Sequence, residues 1–219
     1  MRFLRPLPCG YRVRYYKITM GGKRAYKMDP KMEIQVAKAA EVLKKGGTIL
    51  YPTDTIWGIG CDATDKEAVA KVFAIKKREE SKSLVTLVCD LDMLARYVKE
   101  IPQAALDLIE VNDSPMTIIY PNACHLAENV VAEDGSAGIR IPFNEFCKQL
   151  CFRLKKPIVS TSANLSGEKP PKGFKDIEQS IKEAVDYVVS PAMEEKDSTH
   201  KASQIIKVGL RGEIEIIRK

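Results

Sequence analysis

Short apolar segments that alternate with helical patterns constrain the fold of this chain more than any other feature. Residues 48–51, 84–89 and 116–120 are mostly apolar and too short to be buried helices, which is typical of strands covered on both faces. The strongest helical pattern has apolar residues at Phe143, Phe146, Cys147, Leu150, Cys151 and Leu154. Strands of this kind, interspersed with helices, predict the sheet of an α/β domain.

Charge sets the first residues apart from the rest of the chain. Residues 1–28 contain eight lysine or arginine residues and no acid, whereas the remainder has 27 basic and 29 acidic residues. A helix is expected to begin at Asp29 and Pro30, because an N-cap followed by a first-turn proline marks a helix start. We therefore expect one domain at residues 29–219. The basic extension at residues 1–28 is interpreted as disordered or as an artefact of a translation start upstream of Met20, with attraction of an anionic partner as the alternative.

Several classes of protein are disfavoured by composition. No window approaches the run of about 18 apolar residues that a membrane helix needs, and the first residues lack the apolar core of a secretory signal. We therefore expect a cytoplasmic protein without membrane contact. The six cysteines form no Cys-x-x-Cys pair, so free thiols are expected. With His125 and His200 as the only histidines, neither a zinc site nor a histidine-based triad is expected.

Polar and basic residues are closely spaced in four separate segments. These are Thr53/Thr55, Lys76/Arg78, Ser136/Arg140 and Ser160/Ser162/Asn164. Residues two apart on an extended segment face the same way. The last of these segments begins at the carboxyl end of a strand expected at residues 157–160. Ligands of open α/β sheets bind at the carboxyl ends of strands.

Two interpretations of these segments remain open. A serine-rich turn is often only a capping or solvent-exposed segment. Hydroxyls and amides beside several fixed cations, however, suit a polyphosphate, so we predict a nucleotide ligand. The chain has no Gly-x-x-x-x-Gly-Lys-Ser/Thr loop, and Gly58 lies too far beyond the strand end at Tyr51 for a dinucleotide fingerprint.

Four motifs occur in an order that resembles a known family. They are Tyr51-Pro-Thr-Asp-Thr-Ile-Trp-Gly-Ile-Gly60, Lys76-x-Arg78 with Lys82 and Leu84, Gly138-Ile-Arg-Ile-Pro142, and Ser160-Thr-Ser-Ala-Asn-Leu-Ser-Gly167. Together they resemble the single-domain YrdC-type L-threonylcarbamoyladenylate synthases over about residues 31–219, and the Lys-x-Arg and Ser-x-Asn pair is diagnostic of that family. The chain departs from the family pattern at Glu79, Ser114 and Ala202. The resemblance implies a twisted, open, mixed sheet with flanking helices in one domain, around a large basic cavity.

The resemblance also implies a nucleotidyltransferase reaction. L-Threonine, bicarbonate and ATP, accompanied by Mg²⁺, would give L-threonylcarbamoyl-AMP and pyrophosphate. No metal site built from protein ligands alone is expected. The product would pass to a tRNA threonylcarbamoyltransferase complex, which modifies the adenosine next to the anticodon to N6-threonylcarbamoyladenosine, and direct contact with tRNA is an open possibility.

Individual roles follow from the resemblance, residue by residue. The implied catalytic residues are Lys76, Arg78, Ser162 and Asn164. The implied ATP-binding residues are Arg78, Lys82, Ser136, Ser162 and Arg218. The implied L-threonine-binding residues are Thr55, Arg140, Ser160 and Ser203. The carbamate of threonine is a weak nucleophile, so the rate must come from positioning and from charge stabilisation as pyrophosphate leaves.

Two other functions remain as alternatives. One is a non-catalytic RNA-binding or ribosome-maturation factor of the YciO-like type. The other is carbamoyl transfer within a larger maturase, which the lack of zinc-finger cysteines and of an acylphosphatase-like domain disfavours.

Overall fold

The computed structural model of this chain describes residues 28–77 and 84–219. All of the basic extension except Met28 lies outside the described residues, and so do Arg78 and Lys82. Within the described ranges, no helix has the length and apolar character needed to cross a membrane.

The described residues alternate between helices and short strands. The helices are α1 (Pro30–Lys44), α2 (Lys66–Lys76), α3 (Leu91–Leu94), α4 (Gln103–Val111), α5 (Glu145–Leu154) and α6 (Gln179–Ala184). The strands are β1 (Ile49–Tyr51), β2 (Gly58–Gly60), β3 (Val85–Leu87), β4 (Met116–Tyr120), β5 (Ala137–Arg140), β6 (Ile158–Ser162), β7 (Tyr187–Val188), β8 (Gln204–Val208) and β9 (Ile214–Arg218). The predicted α/β alternation is confirmed.

These nine strands form one sheet in the order β7-β1-β2-β6-β3-β5-β4-β8-β9. Pairing is parallel between β1 and β7, between β3 and β5, and between β4 and β8, and antiparallel elsewhere. The domain is therefore an open mixed sheet flanked by helices, as expected. Strands β5 and β6 both pair with β3, so two polar segments that are far apart in the chain become neighbours.

Local capping explains where two of the helices begin. The Asp29 carboxylate accepts a hydrogen bond from the N–H of Lys31 at 2.9 Å. The Asp65 carboxylate accepts from the N–H groups of Glu67 and Ala68 at 3.0 and 3.2 Å. Each bond satisfies N–H groups that have no partner within the first helical turn.

A left-handed residue marks the end of α2. Lys77 has a left-handed backbone with φ of 48°, which ends the helix directly after Lys76. Because residues two apart diverge on a continuous helix, the cations of the Lys-x-Arg motif would converge on one target only if the helix ended by about residue 75. The chain therefore leaves the helix within the Lys-x-Arg motif.

Two apolar clusters pack against the sheet. One joins α1 and α5 to the sheet through residues such as Leu43 and Phe146, and the other joins α2 and α6 through residues such as Phe73 and Ile181. Phe143, the first residue of the apolar helical pattern, is 48% exposed, and Ile34 in α1 is 54% exposed. Ile34 is two positions from the buried Val36 and so lies on the opposite side of α1, while Phe143 precedes the first turn of α5.

Close packing of β2 generates a stability prediction. A Cβ added at Gly60 would lie 2.5 Å from the carbonyl oxygen of Val159 and 2.7 Å from Cε1 of Tyr51. We expect Gly60→Ala to lower the free energy of unfolding by about 1–3 kcal/mol, because the surrounding strands must shift. Urea denaturation measures the change. The control is Gly173→Ala, whose added Cβ would meet nothing within 4 Å, and equal midpoints for the two variants would contradict the prediction.

Candidate functional site

The sheet register places several predicted site residues on one face. Ser160 and Gly138 both pair with Val85, and directly paired residues project to the same face of a sheet. Ser136 and Arg140 lie two residues on either side of Gly138 and therefore share that face. We call this surface the polar face.

The polar face continues towards the first strand and is lined there by glycine. Ser162, two residues after Ser160, pairs with Gly58. A Cβ at Gly58 would lie 3.3 Å from Oγ of Ser160, and a Cβ at Gly138 would lie 3.4 Å from Cγ2 of Thr117. Because neither glycine carries a side chain, a ligand can approach the backbone between the hydroxyl groups.

The C-terminal strands bring two further predicted residues to this surface. Oγ of Ser203 lies 2.8 Å from Oγ1 of Thr117. Arg218 donates from Nε and Nη2 to the Ser203 carbonyl oxygen at 3.0 and 2.8 Å. Partial burial and the nearby charge of Arg140 lower the pKa of Arg218. Two predicted ligand-binding cations therefore lie close enough to interact electrostatically.

Arg140 is held by a buried ion pair. Its Nη2 donates to Oδ1 of Asp54, and the two side chains are only 4% and 8% exposed. Its Nη1 donates to Oγ1 of Thr55 at 3.2 Å. The other Asp54 oxygen accepts from the backbone N–H of Phe143 at 3.0 Å. Nε of Arg140 is buried and has no hydrogen-bond partner among the described residues, so one donor of this guanidinium is unsatisfied.

The loop before β2 fixes the partners of Arg140. Oγ1 of Thr53 accepts from the N–H groups of Thr55 and Ile56 at 3.0 and 3.2 Å and donates to the Ile56 carbonyl at 2.8 Å. The hydroxyl oxygens of Thr53 and Thr55 lie 2.9 Å apart. The sequence predicted neighbouring hydroxyls on an extended segment, whereas a closed bend brings them together here.

The two diagnostic motifs meet through main-chain contacts. Lys76 is only 2% exposed, and its Nζ donates to the carbonyl oxygens of Ser162 and Asn164 at 2.5 and 2.6 Å. The Ser166 N–H donates in return to the Lys76 carbonyl at 2.9 Å. Lys76 thus joins the end of α2 to the end of β6.

The amide of Asn164 is oriented by the same loop. Its Nδ2 donates to the carbonyl oxygens of Leu165 and Glu168, both at 2.9 Å. Its Oδ1 is buried and has no hydrogen-bond partner in the part of the chain that the structure describes. A buried acceptor of this kind has a free-energy cost unless a ligand or water satisfies it.

Sequence reasoning missed two groups beside Ser136. Asp134 accepts from Oγ of Ser136 at 2.5 Å and from Nζ of Lys207 at 2.9 Å. These two hydrogen bonds lower the pKa of Asp134 to about 2. Lys207 pairs with Ile119, which also pairs with Gly138, so it belongs to the polar face. The two-residue spacing from Asp134 to Ser136 was the available signal, whereas nothing in the local sequence points to Lys207.

The cysteines of the described residues form no disulfide. Cys61, Cys89, Cys124, Cys147 and Cys151 are free thiols, as expected, and Cys9 lies outside the described residues. Burial raises the pKa of Cys89 to about 12. Over residues 28–77 and 84–219, no group of three or more His, Cys, Asp or Glu side chains could hold a metal ion.

The buried ion pair generates a second stability prediction. We expect Asp54→Asn to lower the free energy of unfolding by about 3–5 kcal/mol, because it leaves the Arg140 charge buried without its anion. Chemical denaturation monitored by circular dichroism measures the change. The control is Glu41→Gln, which removes an exposed ion pair with Lys45 and should leave the midpoint unchanged. Similar midpoints for the two variants would show that the buried pair does not stabilise the fold.

Solved structures of three proteins share this fold. Sua5 of P. abyssi, complexed with L-threonine, is 23% identical with a TM-score of 0.72 over 83% of this chain and 52% of that one. E. coli YciO is 22% identical with a TM-score of 0.70 over 87% of this chain and 91% of that one. Full-length HypF in a phosphate- and nucleotide-bound form is 21% identical with a TM-score of 0.70 over 84% of this chain and 28% of that one. This chain therefore spans about half the length of that Sua5 chain.

Family membership follows from the sequence match. The Sua5/YciO/YrdC profile, which carries the description "Telomere recombination", matches residues 41–219. That range includes every strand of the sheet and every residue of the polar face. This chain belongs to the Sua5/YciO/YrdC family.

Proposed function

We propose that this protein is an L-threonylcarbamoyladenylate synthase. The observation that carries the proposal is the buried, oriented guanidinium of Arg140, which lies beside the hydroxyl of Thr55 on a glycine-lined polar face. A fixed guanidinium is well suited to an amino-acid carboxylate. Sua5, which has the same fold, was solved with L-threonine, and HypF was solved with a nucleotide; both support the proposed substrate classes.

L-Threonine is assigned to the part of the polar face around Arg140. The guanidinium binds the carboxylate, and its unsatisfied Nε–H is a donor that this ligand would use. Thr55, Ser160 and Ser203 supply hydroxyls for the remaining polar groups of the amino acid. Burial strengthens these contacts, because Arg140 is only 5% exposed and the local dielectric is low.

MgATP is assigned to the adjoining part of the polar face. Ser136, Ser162 and Arg218 are the proposed contacts there, together with Arg78 and Lys82, which lie outside the described residues. As a companion of the substrate, Mg²⁺ would be held mainly by phosphate oxygens and water.

The proposed reaction has two steps. The threonine amine condenses with bicarbonate to give a carbamate and water. A carbamate oxygen then attacks the α-phosphorus of ATP, the bond between that phosphorus and the bridging oxygen breaks, and pyrophosphate leaves with the bonding pair. Since the carbamate is a poor nucleophile, alignment of the two substrates and stabilisation of the departing charge are the main contributions of the protein.

The motif residues are assigned different roles in the proposed reaction, according to their contacts. Lys76 holds the carbonyl groups of Ser162 and Asn164, so we assign it to holding the loop after β6. Charge stabilisation of the leaving pyrophosphate is then assigned to Arg78 and Lys82. The protein would act in the cytoplasm and pass its product to a tRNA threonylcarbamoyltransferase complex.

Threonine-dependent release of pyrophosphate tests the proposal. Purified protein is incubated with MgATP, bicarbonate and L-threonine, and the adenylate product is identified by mass spectrometry. Release that requires both L-threonine and bicarbonate is expected. If release is absent while the protein binds RNA, the synthase proposal fails and the YciO-like alternative replaces it.

The role of Arg140 gives a sharper prediction. Arg140→Lys keeps the charge opposite Asp54 but loses the planar fork, so we expect KM for L-threonine to rise about 10- to 100-fold. KM for MgATP should change much less. The matched control is Arg153→Lys, on the exposed side of α5. Equal increases in both KM values would argue against placing the threonine carboxylate at Arg140.

A further inference from the structure

A surface segment crosses the loop that orients Arg140. We call residues 195–203 the strap. It follows a short 3-10 helix at Pro191–Met193 and leads into β8. Its residues are Glu, Lys, Asp, Ser, Thr, His, Lys, Ala and Ser, so it contains no large apolar side chain that could anchor it in the core. Hydrogen bonds must therefore hold it in place.

Two adjacent strap residues hold three consecutive carbonyl groups of the loop. Oγ of Ser198 lies 3.2 Å from the Thr53 carbonyl oxygen and 3.0 Å from the Thr55 carbonyl oxygen, as a shared donor. The backbone N–H of Thr199 donates to the Asp54 carbonyl oxygen at 3.0 Å. The Thr199 hydroxyl also lies 3.3 Å from that oxygen. The main chain of residues 53–55 is thus held from outside, while the side chains of Asp54 and Thr55 contact Arg140.

Both ends of the strap are tied to the same site. At one end, Oε1 of Glu195 accepts from the Glu145 N–H at the start of α5, at 3.0 Å. At the other end, Ser203 contacts Thr117 at 2.8 Å. The start of α5 is also next to Phe143, whose N–H donates to Asp54. The strap, the loop and α5 therefore form one hydrogen-bonded unit around the ion pair.

The effect of the strap on the site is orientational. Water could satisfy the three loop carbonyls equally well in the absence of the strap, so their hydrogen bonding alone does not require Ser198 and Thr199. What water cannot do is fix the three peptide planes relative to one another. Those planes determine where the Asp54 carboxylate and the Thr55 hydroxyl lie, and both groups contact the Arg140 guanidinium.

We infer that Ser198 and Thr199 are positioning residues of the amino-acid subsite, which act by fixing the 53–55 backbone so that Asp54 and Thr55 hold Arg140 in its ligand-binding orientation. The inference rests on the proposed function for the identity of the ligand, L-threonine. Ser198 and Thr199 lie outside the polar face, and neither is expected to touch a substrate.

Steady-state kinetics of strap variants test the inference. We expect Ser198→Ala to raise KM for L-threonine about 10-fold, the effect of losing one well-placed hydrogen bond. KM for MgATP and kcat should change by less than about twofold, since the ATP contacts lie elsewhere on the polar face. Ser198→Thr, which keeps a hydroxyl, should restore most of the affinity for L-threonine.

Two further variants separate positioning from general stability. Thr199→Val should have a smaller effect than Ser198→Ala, because the closer contact of Thr199 uses its backbone N–H. The matched control is Ser180→Ala on α6, whose hydroxyl bonds to Glu178 in the same exposed segment. An unchanged KM for L-threonine in Ser198→Ala would overturn the inference. An equal rise in KM for L-threonine and for MgATP, with an equal fall in kcat, would overturn it as well.

Hydrogen exchange of backbone amides tests the role of the strap independently of the proposed reaction. The amides of Thr55 and Ile56 both donate to the Thr53 hydroxyl, so loosening of the loop should accelerate their exchange in Ser198→Ala but not in Ser180→Ala. If the wild-type protein releases no pyrophosphate, the proposed function fails while faster exchange still supports the strap as the element that orders the loop. Unchanged exchange at both amides would refute the role of the strap whatever the activity.

Discussion

The buried ion pair between Arg140 and Asp54 is the interaction on which the rest of the site depends. Removing both charges from water has a large free-energy cost, which is recovered only when their remaining donors and acceptors are satisfied in good geometry. Here the hydroxyl of Thr55 and the N–H of Phe143 meet part of that need, while Nε of Arg140 has no hydrogen-bond partner among the described residues. Strand β5, the loop before β2 and the start of α5 must consequently hold fixed relative positions, and the strap adds a fourth segment to the same arrangement.

The order of strands in the sheet explains why the polar groups converge. Strand β3 has β5 on one side and β6 on the other, so Gly138 and Ser160 face each other across Val85. The glycines at 58 and 138 add no side chains to this face, so nothing at these two positions covers the hydroxyls of the flanking serines. A larger residue at either position would contact Ser160 or Thr117. Strand order and small residues together create a polar surface with no side chain between the hydroxyls at Gly58 and Gly138.

The Lys-x-Arg and Ser-x-Asn motifs also have a structural explanation. Lys76 and Asn164 are 88 positions apart, yet the ammonium group of Lys76 reaches two carbonyl oxygens of the loop after β6. An ammonium group offers three donors on a flexible stem, which suits it to hold irregular backbone at a strand end. One member of the diagnostic pair therefore holds the loop in which the other lies.

The local sequence determined those helices and strands that have a capping residue or a regular apolar pattern. The starts of α1 and α2 follow from Asp29 and Asp65, and β4 has the bounds that its apolar run predicted. The spacing of polar residues at strand ends, with the family resemblance, predicted that Arg140, Ser160 and Ser162 belong to one site, and the sheet register places them on one face. Strand β2 was missed because two of its three residues are glycine and carry no side-chain pattern.

Only the tertiary structure decided which groups are partners. Asp54 binds Arg140 across 86 positions of sequence, Lys207 joins Ser136 through Asp134, and Ser198 holds the loop of Thr53 and Thr55. Periodicity and capping reflect contacts between residues a few positions apart, so they are readable from a local stretch. Strand order and register depend on how the whole chain packs, and these alone determine which distant side chains meet.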